Sequence, residues 1–258
     1  MPKTIKNKIF YKYINKDPNS VLFIFLHGLM GSHEDWSILD PYITLPHALY
    51  IDIPGHGKSE LAQNSSWEKC SRDLLNFIES FEGEKVLVGY SLGGRIALQL
   101  LANSPETFKS VICESASFGI EKKEQRDQRW LHDKKLFQDI KTREDFIGFL
   151  YQWYEMPLFE AMKNKDAVIN KKSQGDFKQY SHILSLLSVG KQPYLFEKLL
   201  KLKDKIIYLA GTKDLKYMNI SQKWSNKEGE VLHFLDASHN IHNDFPKEYS
   251  QVLKRFLD

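Results

Sequence analysis

The chain is poor in cysteine, with only Cys70 and Cys113 among 258 residues. Two distant cysteines exclude a disulfide scaffold and any CxxC metal or redox motif. They read as reduced, buried thiols and point to the cytoplasm. Long apolar runs are also lacking: the longest clean one, Val21–Leu26, falls far short of the roughly 20 residues of a membrane helix. The N-terminus is basic, but no signal-peptide apolar segment follows it. Neither sign of charge dominates. Lys and Arg number 36 against 33 acidic residues, a formal +3, too little to argue for nucleic acid. Internal repeats and low-complexity linkers are missing as well, which leaves one large domain or a core with an insertion.

What is present is an alternation of strand-like and helix-like segments. Ile5–Tyr13 is a candidate first strand. Val21–Leu26 is continuously apolar, as a strand buried on both faces must be. Ala48–Ile53, Lys85–Gly89, Lys109–Glu114, Lys205–Ala210 and Val231–Leu235 read as further strands. Ser66–Phe81 carries Trp67, Cys70, Leu74, Phe77, Ile78 and Phe81 at helical spacing, with Ser65 and Glu68 placed for a capping box. Leu92–Leu101 and Glu248–Leu257 are helices too. Such alternation predicts an α/β fold with a doubly wound, mostly parallel sheet. Residues 120–193 show helical patterning and no convincing strand. They are expected to form an inserted helical cap over the C-terminal edge of the sheet, with 1–119 and 194–258 as the core.

Chemistry concentrates at Gly89-Tyr90-Ser91-Leu92-Gly93. A G-x-S-x-G pattern is common by chance, but here it joins a strand to a helix. That context lifts a serine hydroxyl into the open on a tight turn and aims the helix N-terminus at it. A serine at its normal pKa needs an imidazole partner, and the imidazole needs an acid to orient it. Asp214 and His239 each follow a strand, in the chain order Ser, Asp, His. Glu114, at a strand end, is the alternative acid, and His242 the alternative base. His27-Gly28-Leu29 follows the first buried strand, so the backbone N–H groups of Leu29 and Leu92 are the expected oxyanion donors. His27 itself reads as structural.

These motifs, with Asp52-Ile53-Pro54-Gly55-His56-Gly57, resemble the α/β-hydrolase superfamily. Within it, three further stretches resemble the 2-succinyl-6-hydroxy-2,4-cyclohexadiene-1-carboxylate (SHCHC) synthase family of menaquinone biosynthesis. They are the extension of the elbow through Gly94 to Arg95, Trp153-Tyr154 with Pro157 and Phe159, and Ser188–Pro193. The resemblance implies an α/β-hydrolase fold and a lyase that eliminates pyruvate from a cyclohexene polycarboxylate. It implies serine acting as a base, with no metal or organic cofactor. The implied substrate-binding residues are Arg95, Tyr90 and Trp153, with Lys123 and Lys172 at two cap positions where arginine is usual, and Arg126 as the neighbour of Lys123. Lysine keeps the charge there but loses the planar fork that grips a carboxylate. The implied partner is a small polycarboxylate, not nucleic acid or membrane. The competing class is a carboxylesterase, thioesterase or C–C bond hydrolase using the same serine through an acyl-enzyme. A binding module that has lost its chemistry is disfavoured, because every triad residue type is present.

Overall fold

The computed structural model describes residues 3–6 (backbone only), 9–62 and 64–257. Its strands are β1 (Lys3–Lys6), β2 (Ile9–Asn15), β3 (Leu22–Leu26), β4 (His47–Ile51), β5 (Lys85–Tyr90), β6 (Ser110–Glu114), β7 (Ile206–Gly211) and β8 (Glu230–Phe234). They form one sheet in the order β1-β2-β4-β3-β5-β6-β7-β8. β1 pairs antiparallel with β2, and β2 with β4, while all later neighbours are parallel. The expected strand Ile5–Tyr13 is therefore two strands, of which residues 7 and 8 lie outside the described residues. An extended pattern does not reveal where the chain doubles back.

Helices α1 (Trp67–Glu79) and α2 (Leu92–Asn103) follow β4 and β5. Ser66, not Ser65, caps α1: its hydroxyl accepts from the Lys69 N–H at 3.1 Å, so the capping box expected from Ser65 and Glu68 is replaced by a simple N-cap. Between β6 and β7 lie α3 (Lys123–Lys135), α4 (Arg143–Tyr154), α5 (Lys165–Lys172), α6 (Phe177–Leu186) and α7 (Phe196–Leu200). α8 (Leu215–Ser225), α9 (Ile241–Asp244) and α10 (Pro246–Lys254) complete the chain. Among the described residues, no helix is long and apolar enough to cross a membrane.

The period-two geometry of a strand divides each central strand between two cores. Leu22, Ile24 and Leu26 of β3 face α1, α2 and the helices after β6, whereas Phe23 and Phe25 face Trp36 and α10. Both faces are covered, which is why β3 reads as an unbroken apolar run. The chain reverses its winding direction at β3: β4 lies on one side of it and β5 on the other. A crevice opens at the carboxyl ends of two such strands. Here it receives the loop after β3 and the turn after β5.

Candidate functional site

Ser91 follows β5 with φ 51° and ψ −105°. A non-glycine residue held there stores about 1–3 kcal/mol of strain, which the surroundings must over-determine. Two glycines permit the turn. A Cβ on Gly89 would come within 2.6 Å of the Gly93 backbone, and one on Gly93 would lie 2.0 Å from the Leu26 carbonyl oxygen. Hydrogen bonds fix the rest: the Ser91 N–H donates to the Glu114 carbonyl at 2.9 Å, and the Arg95 N–H to the Ser91 carbonyl at 3.0 Å.

His239 lies in the loop after β8 and Asp214 at the start of α8. The His239 Nδ1–H donates to Asp214 Oδ2 at 2.6 Å, because an ionised carboxylate can only accept. That leaves Nε2 to accept from Ser91 Oγ at 3.1 Å. Asp214 is fully buried, and its other oxygen accepts from the Tyr217 N–H at 3.2 Å, capping α8. One carboxylate thus ends a helix and orients an imidazole. The His239 loop is held from the segment between β6 and β7, since the His239 N–H donates to the Leu158 carbonyl at 3.1 Å. Asp244 adds a second tie, accepting from Ser238 Oγ at 2.5 Å and from the Lys163 N–H at 3.0 Å. Rings of Tyr217, Tyr90 and Phe159 stand 4.7, 5.4 and 5.5 Å from the His239 ring.

The residues named as alternatives form a different pair. His242 donates from Nδ1 to Glu114 Oε2 at 2.7 Å and from its backbone N–H to Oε1 at 3.1 Å. Both side chains are buried, and His242 stacks on Trp36 at 4.3 Å. Glu114 and His242 staple α9 to the end of β6 behind the elbow.

The turn bearing Leu29 is closed by the Gly31 N–H donating to the Gly28 carbonyl at 3.1 Å. His27 sits beneath it, fully buried: Nδ1–H donates to the Gly28 carbonyl at 2.7 Å and Nε2 accepts from the Ile53 N–H at 3.0 Å. Burial keeps the imidazole below its ordinary pKa and hence neutral. Leu92 is the first residue of α2, where an N–H has no intrahelical acceptor.

The basic residues fall in unlike places. Arg95, one turn into α2, is half-buried. Its Nη2 donates to the Leu187 carbonyl at 2.9 Å, and its guanidinium lies 5.2 Å from the Trp67 ring centre. Nη1 is buried without a partner, and burial lowers the pKa to about 10. The Lys123 ammonium is exposed and pairs with Asp127 at 3.0 Å one helical turn away, where water keeps it hydrated. Arg126 donates from Nη1 to the carbonyls of Ile120 and Glu121, holding the chain where α3 begins. Trp153 packs on Phe149 at 5.6 Å within the helical segment. Lys172 is buried, and its ammonium is already engaged, by Met30 and Asp35 of the core. Asp35 and Asp244 were missed by sequence reading, since nothing local distinguishes them from surface acids. The Ser32-x-x-Asp35 spacing of a capping box was the one available signal.

Residues 21–246 match the family model described as alpha/beta hydrolase fold. The chain is similar to the 2-succinyl-6-hydroxy-2,4-cyclohexadiene-1-carboxylate synthase of Serratia proteamaculans, at 30% identity over 91% of this chain and 92% of the relative. It is similar to the protein of the same name from Pectobacterium atrosepticum at 29% over the same shares. The solved structure of MenH from S. aureus superposes with a TM-score of 0.84 at 24% identity, covering 98% of both chains. The chain belongs to the alpha/beta-hydrolase fold family and, within it, to the family of relatives that bear the SHCHC synthase name.

Proposed function

We propose that this chain is a carbon–oxygen lyase of menaquinone biosynthesis. It would convert 2-succinyl-5-enolpyruvyl-6-hydroxy-3-cyclohexene-1-carboxylate to SHCHC, with Ser91, His239 and Asp214 as its catalytic residues. The names of substrate and product define the electron flow. The C2–H bond beside the succinyl ketone breaks, C2=C3 forms, and the C3=C4 pair moves to C4=C5. The C5–O bond then breaks and pyruvate leaves as its enolate, which takes up a proton. Ser91 Oγ removes the C2 proton while passing its own to His239 Nε2, and the Asp214 carboxylate stabilises the imidazolium that results. Negative charge develops on the ketone oxygen, where the N–H groups of Leu29 and Leu92 would receive it. A donor so aimed is worth roughly 10²–10³ in rate.

The observation that carries this reading is Arg95: a half-buried guanidinium beside the elbow whose Nη1 is buried and unpartnered. A buried cation with a spare donor is costly unless an anion completes it, and a substrate carboxylate would do so. Tyr90, packed against His239, would form the adjoining wall. Residues 120–193 would serve as the cap over a core of 1–119 and 194–258, working as a cytoplasmic enzyme on a free polycarboxylate. Pyruvate release from the enolpyruvyl substrate, followed with lactate dehydrogenase and NADH, tests the proposal. Rapid turnover without any covalent adduct on Ser91 is expected. A burst of nitrophenolate from a p-nitrophenyl ester, with no pyruvate from the cyclohexene, would assign the site to a hydrolase instead.

A further inference from the structure

Lys172 ends α5, and its side chain is 8% exposed. Its ammonium lies 3.2 Å from the Met30 carbonyl oxygen and 3.3 Å from Asp35 Oδ2. Lys171 reaches the other oxygen of Asp35 at 3.0 Å. Met30 has φ 58°, in the left-handed region that a side chain rarely adopts. It occupies the third position of the Gly28–Gly31 turn, directly after Leu29, where such a φ marks a type II turn. Asp35 is wedged under the same turn: a Cβ on Gly31 would meet its Oδ2 at 2.3 Å, and the Ser32 N–H donates to it at 3.3 Å. Burial alone would raise the Asp35 pKa, but the Lys172 and Lys171 charges outweigh it and hold the carboxyl below the ordinary carboxylate range. The carboxylate is therefore present at every working pH.

The turn and Asp35 belong to the core, whereas Lys172 arrives on a helix inserted between β6 and β7. Their contact exists only while α5 is seated. A strained Met30 carbonyl held by an ammonium fixes the peptide orientation of the turn, and with it the direction of the Leu29 N–H. We propose that Lys172 is a positioning residue: seating α5 places its ammonium on Met30 and Asp35 and so sets the oxyanion turn. This rests on the reading above only in assigning Leu29 as an oxyanion donor. It also departs from a direct substrate role for Lys172, since both of its anchors are protein groups.

The test uses the full chain with Lys172→Met, Lys172→Arg, Asp35→Asn and the double variant Lys172→Met with Asp35→Asn. Pyruvate release should fall roughly 10–100-fold in kcat for Lys172→Met, part of what a whole oxyanion donor is worth, with KM changed less than about threefold. Lys172→Arg should recover most of the loss. The double variant should be no slower than Lys172→Met, because both changes break one clamp. Amide hydrogen exchange across residues 27–33 should quicken in Lys172→Met and in Asp35→Asn, with β5 unchanged. A rise in KM at preserved kcat would make Lys172 a substrate contact and overturn the proposal. Unaltered exchange in the turn would overturn it too. The exchange measurement needs no substrate, so it decides the clamp even if the wild-type protein releases no pyruvate. If Lys172→Met fails to fold, Asp35→Asn and Lys172→Arg carry the same comparison.

Discussion

Replacing Asp214 by asparagine separates geometry from chemistry with almost no change in shape. One oxygen of Asp214 accepts from the Tyr217 N–H, and the other accepts from His239 Nδ1–H. Asparagine has one oxygen and one NH₂ group, so its orientation is decided by these neighbours. The Tyr217 N–H is a fixed donor and demands the oxygen, which turns the NH₂ toward His239. An NH₂ donor there forces Nδ1 to accept, and the imidazole proton moves to Nε2. That proton then faces Ser91 Oγ at 3.1 Å, so the ring can no longer take the serine proton. In a protease triad the same tautomer error costs about 10⁴ in kcat, which corresponds to about 5.4 kcal/mol. Asparagine is as good a helix N-cap as aspartate, so the folding cost should stay near 1 kcal/mol, or about 2–4 °C in Tm. Steady-state pyruvate release gives the kinetic effect, and ¹⁵N shifts of the His239 ring report the tautomer. A variant within tenfold of wild type would refute the reasoning. The acid role would then pass to Glu114, a buried carboxylate bonded to His242 behind the elbow.

Three further outcomes are expected. Arg95→Met should lower kcat/KM by roughly 10²-fold, the worth of a charge-assisted carboxylate contact. Its Tm should hold within a few degrees, because an unpaired buried charge leaves with it. A Tm collapse with unchanged kinetics would make Arg95 structural. Gly93→Ala places a Cβ 2.0 Å from the Leu26 oxygen and should cost about 3 kcal/mol or more, because neither backbone can yield. Gly148→Ala, with open space around it in α4, should gain about 0.5–1 kcal/mol; urea unfolding compares the two. Burial pushes the His56 imidazole down to about 3 from 6.5. Below pH 6.5 the unfolded chain takes up a proton that the folded one refuses. Stability should therefore fall as pH drops from about 6.5 toward 3, by up to about 1.4 kcal/mol per unit. His56→Gln should flatten that slope in urea midpoints, and an unchanged slope would exclude His56 as its source.

The central strands were legible in the sequence because a strand covered on both faces must be continuously apolar, as Val21–Leu26 and Val86–Gly89 are. The elbow was legible because the turn tolerates little but glycine at 89 and 93, and because Ser91 follows a strand and opens a helix. Asp214 and His239 could be named from chain order and their places after strands. Those signals are local, and each residue reports its own surroundings. The cations were another matter. Lys123 and Lys172 look alike as sequence, yet one pairs in solvent with Asp127 and the other is buried on Asp35, 137 residues away. No local pattern encodes a partner at that distance. Whether a charge meets water, another side chain or a ligand was decided by which surfaces the tertiary structure brings together and how far each ammonium is desolvated.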